Sequence, residues 1–416
     1  MMYRNNEKIN ELITKGVRIP NPESVDIGDD VSIEQISGDN VVIHSGCKIY
    51  GESTLILHGA QLGYEGPVTV ENCQIGPQVN LKGGFFRKAV FLEKASMVAG
   101  AHVREGTIFE EGSNAAHNVG LKQTILFPFV TLGSLINFCD CLMSGGTDRK
   151  NHSEVGSSYI HFNYTPNQDK ATPSLIGDVP KGVMLNQAPI FLGGQGGLVG
   201  PCRLAFGTVI AAGSIYRKDE LRPGRLLLAG GGKGGSLPFT PGVHSHIKRK
   251  VINNIVYIAN LMALMQWYVH VRSLFISHDF PEGLFNGLVD KLNMGMDERI
   301  RRLGHLGEQM PDSVQTYKNI AKKNASSRLI QQKNEFHEKW PELDDYFKSK
   351  RNTDKKPDLM EPFLEKMRIG ITGCGKDYIS VIKALKSEDS AAGTRWLQGI
   401  VDEIVEDMLK IIPSFT

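Results

Sequence analysis

The chain has 416 residues, 41% of them hydrophobic and 22% charged, an ordinary balance for a soluble globular protein of two or three domains. With 47 basic and 45 acidic side chains the net charge is only +2, which excludes the basic excess of a general nucleic-acid binder. The 6 cysteines show no paired zinc-type spacing and are too few for a disulfide framework, so a reducing cytoplasm and no metal are expected.

Residues 1–22 predict a short helix with Ile9, Leu12 and Ile13 on one face, then a break at Asn21-Pro22, with no apolar signal core. From 23 to 225 a six-residue period governs the chain. Gly100, Gly106 and Gly112 recur at that interval, with Val103, Phe109 and Ala115 midway, and the phase runs on through Leu121, Phe127 and Gly133. Such a repeat predicts a parallel β-helix in which each hexapeptide gives one strand and one turn, and three make a triangular coil. A β-sandwich would place its turns every 8–12 residues instead. Breaks in the phase near 50–70, at 145–151, at 165–173 and around 191–197 predict loops on the outside of the solenoid.

Residues 226–242, containing Gly230 to Gly235, read as a linker. From 243 to 416 the period turns helical. Val251, Ile255, Ile258, Met262 and Met265 form one stripe, and Leu397, Val401, Ile404, Met408 and Ile411 another, both expected in a core. The apolar stretch 251–276 carries too many polar residues for a membrane span. The basic run 348–356 reads as a solvated loop. The segment from Gly370 to Asp377 nearly fits a phosphate loop, but Asp377 replaces the required hydroxyl and no strand precedes it. It is expected to end one helix and begin the next.

One pair of side chains follows from the repeat itself. Arg104 and Lys122 are one full coil apart, so they stack on one face about 4.8 Å from each other. Two cations so close call for an anion between them, a phosphate site built from an Arg fork and a Lys point charge, unless both side chains turn outward into solvent.

The stretch from Leu12 to Asp219 resembles the C-terminal half of the bifunctional enzyme that acetylates glucosamine-1-phosphate and then uridylates the product. The resemblance rests on the run Leu12 to Pro22, on Arg104-Glu105-Gly106, on Lys122, on Asn163-Tyr164 followed by Lys170 and Ile176-Gly177-Asp178, and on Ile210-Ala211-Ala212-Gly213. It implies a left-handed coil, a homotrimer with its sites between subunits, and acyl-CoA as donor. By the same resemblance Arg104, Lys122 and Lys170 hold a sugar phosphate, Asn163 and Tyr164 line the amino-sugar pocket, and Ala212 lies along the pantetheine. The helical segment has no counterpart in that family.

Two departures touch the chemistry. Ser134 stands where the family has its general-base His, and Asn137 where it has a Tyr; a serine hydroxyl does not accept a proton near neutrality. Six extra residues, about 146–151, then lead into His152, so His152, His161 or His117 is left to supply a base. The reading is an acyltransferase-like protein acting on a phosphorylated or nucleotide-linked sugar, with catalytic positions His152, Asn163 and Ser134 and with Asn137 at the substrate. The alternative is a non-catalytic sugar-nucleotide binding or scaffolding trimer. Nucleotidyl transfer, a name inherited from UDP-N-acetylglucosamine pyrophosphorylase relatives, ranks last because the Gly-rich segment it needs is absent.

Overall fold

The computed structural model describes residues 2–416 except Tyr164, 229–238, Asn352, Asp354 and Lys355, and leaves aside the side chains of residues 2–6. Tyr164 and the Gly230–Gly235 cluster thus lie outside the described residues.

The chain folds as a parallel β-helix of the left-handed hexapeptide type, followed by helices. Its three faces are short strands stacked in register. On the first face Val103 lies over Leu121 and Leu121 over Phe138; on the second, Phe91, Phe109, Leu126, Met143, Ile176 and Leu204 form one column. On the third, Met97, Ala115, Leu132, Val155, Leu192, Ile210 and Leu227 form another. All these side chains are buried. Each larger one contributes about 1.5–3 kcal/mol by leaving water, and the stack is stable only as a whole.

The corners explain the glycines. Gly100 sits at φ +79°, and an added Cβ would meet Asn118 Oδ1 at 2.0 Å. Successive coils place Asn118, Leu135, Ser158 and Gln195 at the equivalent left-handed position, with φ between 52° and 61°. Leu135 is the costly member, a bulky residue held where L side chains are disfavoured.

Several loop expectations shift. Strands continue through 50–70, at Leu55–Ile56, Gln61–Leu62 and Val68–Glu71, with the surplus residues at a corner near Gly63 to Pro67. The extra residues near 146–151 form an antiparallel hairpin, Gly146–Asp148 with Asn151–His152. Phe191–Leu192 is a regular rung, and the interruption precedes it, where α2 (Val179–Gly182) sits.

Helix α1 (Met2–Lys15) buries Ile9 and Leu12, but Ile13 is 41% exposed, because the coil's end covers only part of the expected face. The C-terminal helices are α3 (Ile247–His270), α4 (Glu282–Glu308), α5 (Met310–Ala321), α6 (Ser327–Lys350), α7 (Pro357–Cys374), α8 (Tyr378–Ala384) and α9 (Ser387–Ile411). Both expected stripes are buried, on α3 and α9, apart from half-buried Ile411. Residues 348–350 of the expected loop continue α6 instead. Gly375, at φ +73°, ends α7, and the Asp377 carboxylate accepts the Ser380 N–H to begin α8, as the sequence predicts. Among the described residues no helix is long and apolar enough to cross a membrane.

The helices lie against the second face. Helix α4 packs on Gln74–Ile75, Ala89–Phe91 and Thr107–Phe109, and α3 on Ser174–Ile176. Two buried links fasten this joint: Tyr268 donates to Glu110 at 2.5 Å, and Arg272 pairs with Glu111. Burial and the neighbouring Glu111 charge push the Glu110 carboxyl up to about 7.

Candidate functional site

Each coil turns three corners, and the candidate residues divide among them. Arg104, Lys122, Asn163 and Lys170 gather at the corner between the first and second faces. Ser134, Asn137, His117 and Ala212 lie at or beside the corner between the third and first. His152 stands at the corner between the second and third.

At the first of these corners the expected stacking holds. Arg104 N–H bonds to the Leu121 carbonyl, which puts Arg104 over Lys122. The anion beside them is internal: Lys122 Nζ lies 2.9 Å from Glu105 Oε1. Burial works against ionisation of Glu105, yet the Lys122 hydrogen bond and charge hold its carboxyl below the usual value. Cys139, the next rung above Lys122, meets both cations, but burial and the Asp140 charge push its thiol up. It remains a neutral neighbour rather than a nucleophile.

One step inward the helical segment enters. Arg299, on α4, pairs with Asp140 at 2.8 Å, and both side chains are at most 5% exposed. Its guanidinium also donates to Gln123 Oε1 at 3.1 Å and to the Lys170 carbonyl at 3.3 Å. Asn163 Nδ2 donates to the same Asp140 at 3.4 Å. Helix α3 holds the rest of the loop 163–173. Lys250 pairs with Asp169, which also accepts from Thr165 at 2.8 Å, and Asn254 donates to the Ala171 carbonyl at 3.0 Å. Burial alone would raise the Asp169 carboxyl, but His244, Lys250 and Thr165 together hold it well below the ordinary range. The loop that bears Asn163 and Lys170 is therefore positioned by helices.

At the corner between the third and first faces, Ser134 is not alone. His117, one coil away, places Nδ1 2.9 Å from Ser134 Oγ, and Ser134 N–H donates to Ser157 Oγ at 3.2 Å. His117 is exposed, as is Asn137, while Ser134 is half-buried. Leu135, the strained residue, is next in sequence.

The other two histidines are placed differently. His152, in the hairpin, turns its Nε2 to Glu154 at 4.0 Å. It does not share a corner with Asn163 in the same chain. His161 points into the coil, with Nδ1 2.6 Å from the Cys139 carbonyl and Nε2 2.7 Å from Ser174 Oγ. The Cys139 carbonyl can only accept, so the neutral ring carries its hydrogen on Nδ1, and Nε2 accepts the Ser174 hydroxyl, whose oxygen also accepts the Cys202 N–H. Burial pushes this imidazole down to about 4, so it stays neutral and structural.

An acyl-CoA needs a channel narrow enough for a pantetheine arm and cations for its phosphates. Ala212 and Gly213 are exposed, a Cβ on Gly213 would meet open space, and Arg217 and Lys218 stand exposed on the same coil.

No pattern along the chain marks Arg299, Asp140 and Gln123 as a unit. Arg299 lies far along the chain on an amphipathic helix, and only Asp140, an acid between two cysteines in an apolar strand, was a local signal.

Comparison with known proteins bears on the solenoid. No protein-family model matches the chain. It is 27% identical over 213 residues to the "Bifunctional protein GlmU" of Thermotoga sp. (strain RQ2), covering 51% of this chain and 42% of that protein. It is 28% identical over 211 residues to the protein of the same name from Pelobacter propionicus, covering 50% and 40%. The coils form a hexapeptide-repeat, acetyltransferase-like domain. The chain spans less than half the length of the curated relatives it matches.

Proposed function

We propose that the protein is an acyl-CoA-dependent acyltransferase acting on an amino sugar that carries a phosphate or nucleotide, and that it works as a homotrimer. The observation that carries this reading is the division of one expected site between two corners. Arg104, Lys122, Asn163 and Lys170 occupy one corner, and Ser134, His117 and Ala212 another, so a second copy of the chain is needed to bring the two sets together. The faces agree. The chain's own helices cover the second face, whereas apolar side chains stand outward on the other two. Ile160, Phe162 and Ile215 are 36–42% exposed on the first face, and Phe191, Val209 and Leu226 are 36–64% exposed on the third. Those two faces flank the corner of Ser134 and Ala212. Burying them between copies closes a ring.

Static light scattering should return three chains per particle. A monomer at micromolar concentration would remove the shared site.

The ligand side is tested by thermal shift with acyl-CoAs and amino-sugar phosphates, since a ligand that binds only the native state raises its stability. Arg104→Ala and Lys122→Ala should each weaken sugar-phosphate binding by about 1.5–3 kcal/mol, the range for hydrogen bonds to charged groups, and the two losses should not add. Additive losses below about 0.5 kcal/mol, as for solvated surface residues, would refute the phosphate clamp.

A second reading, a binding or scaffolding trimer without turnover, is favoured by one observation: Ser134 at the position of the family's base. His117 beside it distinguishes the two readings.

A further inference from the structure

Away from these corners, two parts of the fold bring together a donor set that their sequence separation conceals. His58 follows the strand Leu55–Ile56 and is fixed in the coil, where its carbonyl accepts the Gln78 N–H at 2.9 Å. His278 and Asp279 belong to the turn between α3 and α4. That turn is closed by Ser277 N–H on the Phe280 carbonyl at 3.0 Å and anchored by Phe280 under the Arg272 guanidinium. His58 Nε2 lies 2.9 Å from Asp279 Oδ1, and His278 Nδ1 lies 3.1 Å from the same oxygen. The two imidazole rings stack, with centroids 5.0 Å apart and 13° between their planes. The three donor atoms all lie within 4.8 Å of one another.

We propose that His58, His278 and Asp279 bind a divalent ion of the zinc class, clamping the coil to the α3–α4 turn. Two imidazoles and a carboxylate are the donors that such ions select, whereas magnesium and calcium prefer oxygen alone. The spacing fits. Tetrahedral donors about 2.0–2.1 Å from zinc stand about 3.3–3.4 Å apart, so the ion needs Asp279 to withdraw from each ring by a few tenths of an ångström and the His278 ring to turn out of its stack, so that its Nδ1 lone pair converges with that of His58 Nε2. His278 and Asp279 are 85% and 68% exposed, free to make that movement, while the coil holds His58 in place. The ion takes over the hydrogen bonds that both rings now make to one oxygen. Three protein donors leave a fourth position for water or another ligand. His278 and Asp279 also line a cleft of about 800 Å³ between the coil and the helices, shared with Arg149, Arg272 and Tyr378.

The test uses tag-free full-length protein and Zn²⁺, with Mg²⁺ as control. Equilibrium dialysis should show one Zn²⁺ per chain that is lost in both His58→Ala and His278→Ala, and no comparable Mg²⁺ binding. Because the His278 side chain is largely exposed, His278→Ala retains the fold, checked by unchanged circular dichroism and metal-free thermal unfolding. Co²⁺ should give ligand-field bands of tetrahedral intensity in the wild type and not in that variant. Zn²⁺ should raise the unfolding temperature of the wild type only. Failure of the wild type to retain Zn²⁺ at micromolar excess overturns the proposal, and so does a stoichiometry or Co²⁺ spectrum identical in wild type and variants.

Discussion

Arg299→Ala is expected to destabilise the protein by about 3–5 kcal/mol, the cost of removing one partner from a buried ion pair. The reason lies in what stays behind. Asp140 is buried beneath the corner, burial pushes its carboxyl up, and Arg299 is the charge that opposes this. Without Arg299 the carboxylate must be protonated or stand unpaired in an apolar setting. Gln123 and the Lys170 carbonyl lose their donor in the same step. The double replacement Asp140→Leu with Arg299→Met removes both charges at similar volume and should recover most of the loss. Thermal unfolding of the wild type, Arg299→Ala and the double variant measures the loss and its recovery. Hydrogen exchange should report faster opening of the loop 163–173 in the single variant. A single variant within about 0.5 kcal/mol of wild type, as for a surface substitution, would mean that α4 does not support this corner.

His117→Ala should lower turnover of an amino-sugar phosphate by about 10²–10⁴-fold, the contribution of a general base, while leaving the affinity for sugar phosphate near its wild-type value. An ammonium must lose a proton before it attacks a thioester, and imidazole is the side chain suited to take it near neutral pH. Ser134 cannot, but its hydroxyl meets His117 Nδ1 at 2.9 Å, so an imidazole does stand beside the position where the resemblance implies one. Adding Ser134→His to the His117→Ala background should restore part of the rate. His152→Ala should leave it unchanged, since that ring faces Glu154 in the hairpin at another corner. Loss of activity in His152→Ala with none in His117→Ala would reverse these assignments and require His152 to act across a subunit boundary. If no variant and no wild type turns over substrate although the ligands bind, the binding-protein reading stands.

The solenoid was legible because its physics is periodic. One residue in six must turn a corner and one in six must point inward, so Gly100, Gly106 and Gly112 with Val103, Phe109 and Ala115 disclose the coil without any knowledge of distant contacts. The stacking of Arg104 over Lys122 follows from the same arithmetic, as does the buried stripe of α3. The period also fixed where residues were in surplus near 146–151, but not their conformation as a hairpin, nor which corner they would occupy relative to Asn163.

Tertiary structure alone decided the rest. The sequence named Lys122 as half of a cation pair, but the pairing of its ammonium with Glu105 depends on side-chain directions at a corner. It named His161 as a candidate base, but the ring points inward because the alternation of Tyr159 to Phe162 buries every second residue, and there burial keeps it neutral. Above all, nothing local links Arg299 to Asp140, or His58 to Asp279. Each pair forms because helices packed on the second face bring distant parts of the chain within hydrogen-bond reach. A repeat encodes contacts at a fixed separation along the chain. Contacts between the repeat and a non-repeating segment have no such separation, and only the packed fold determines them.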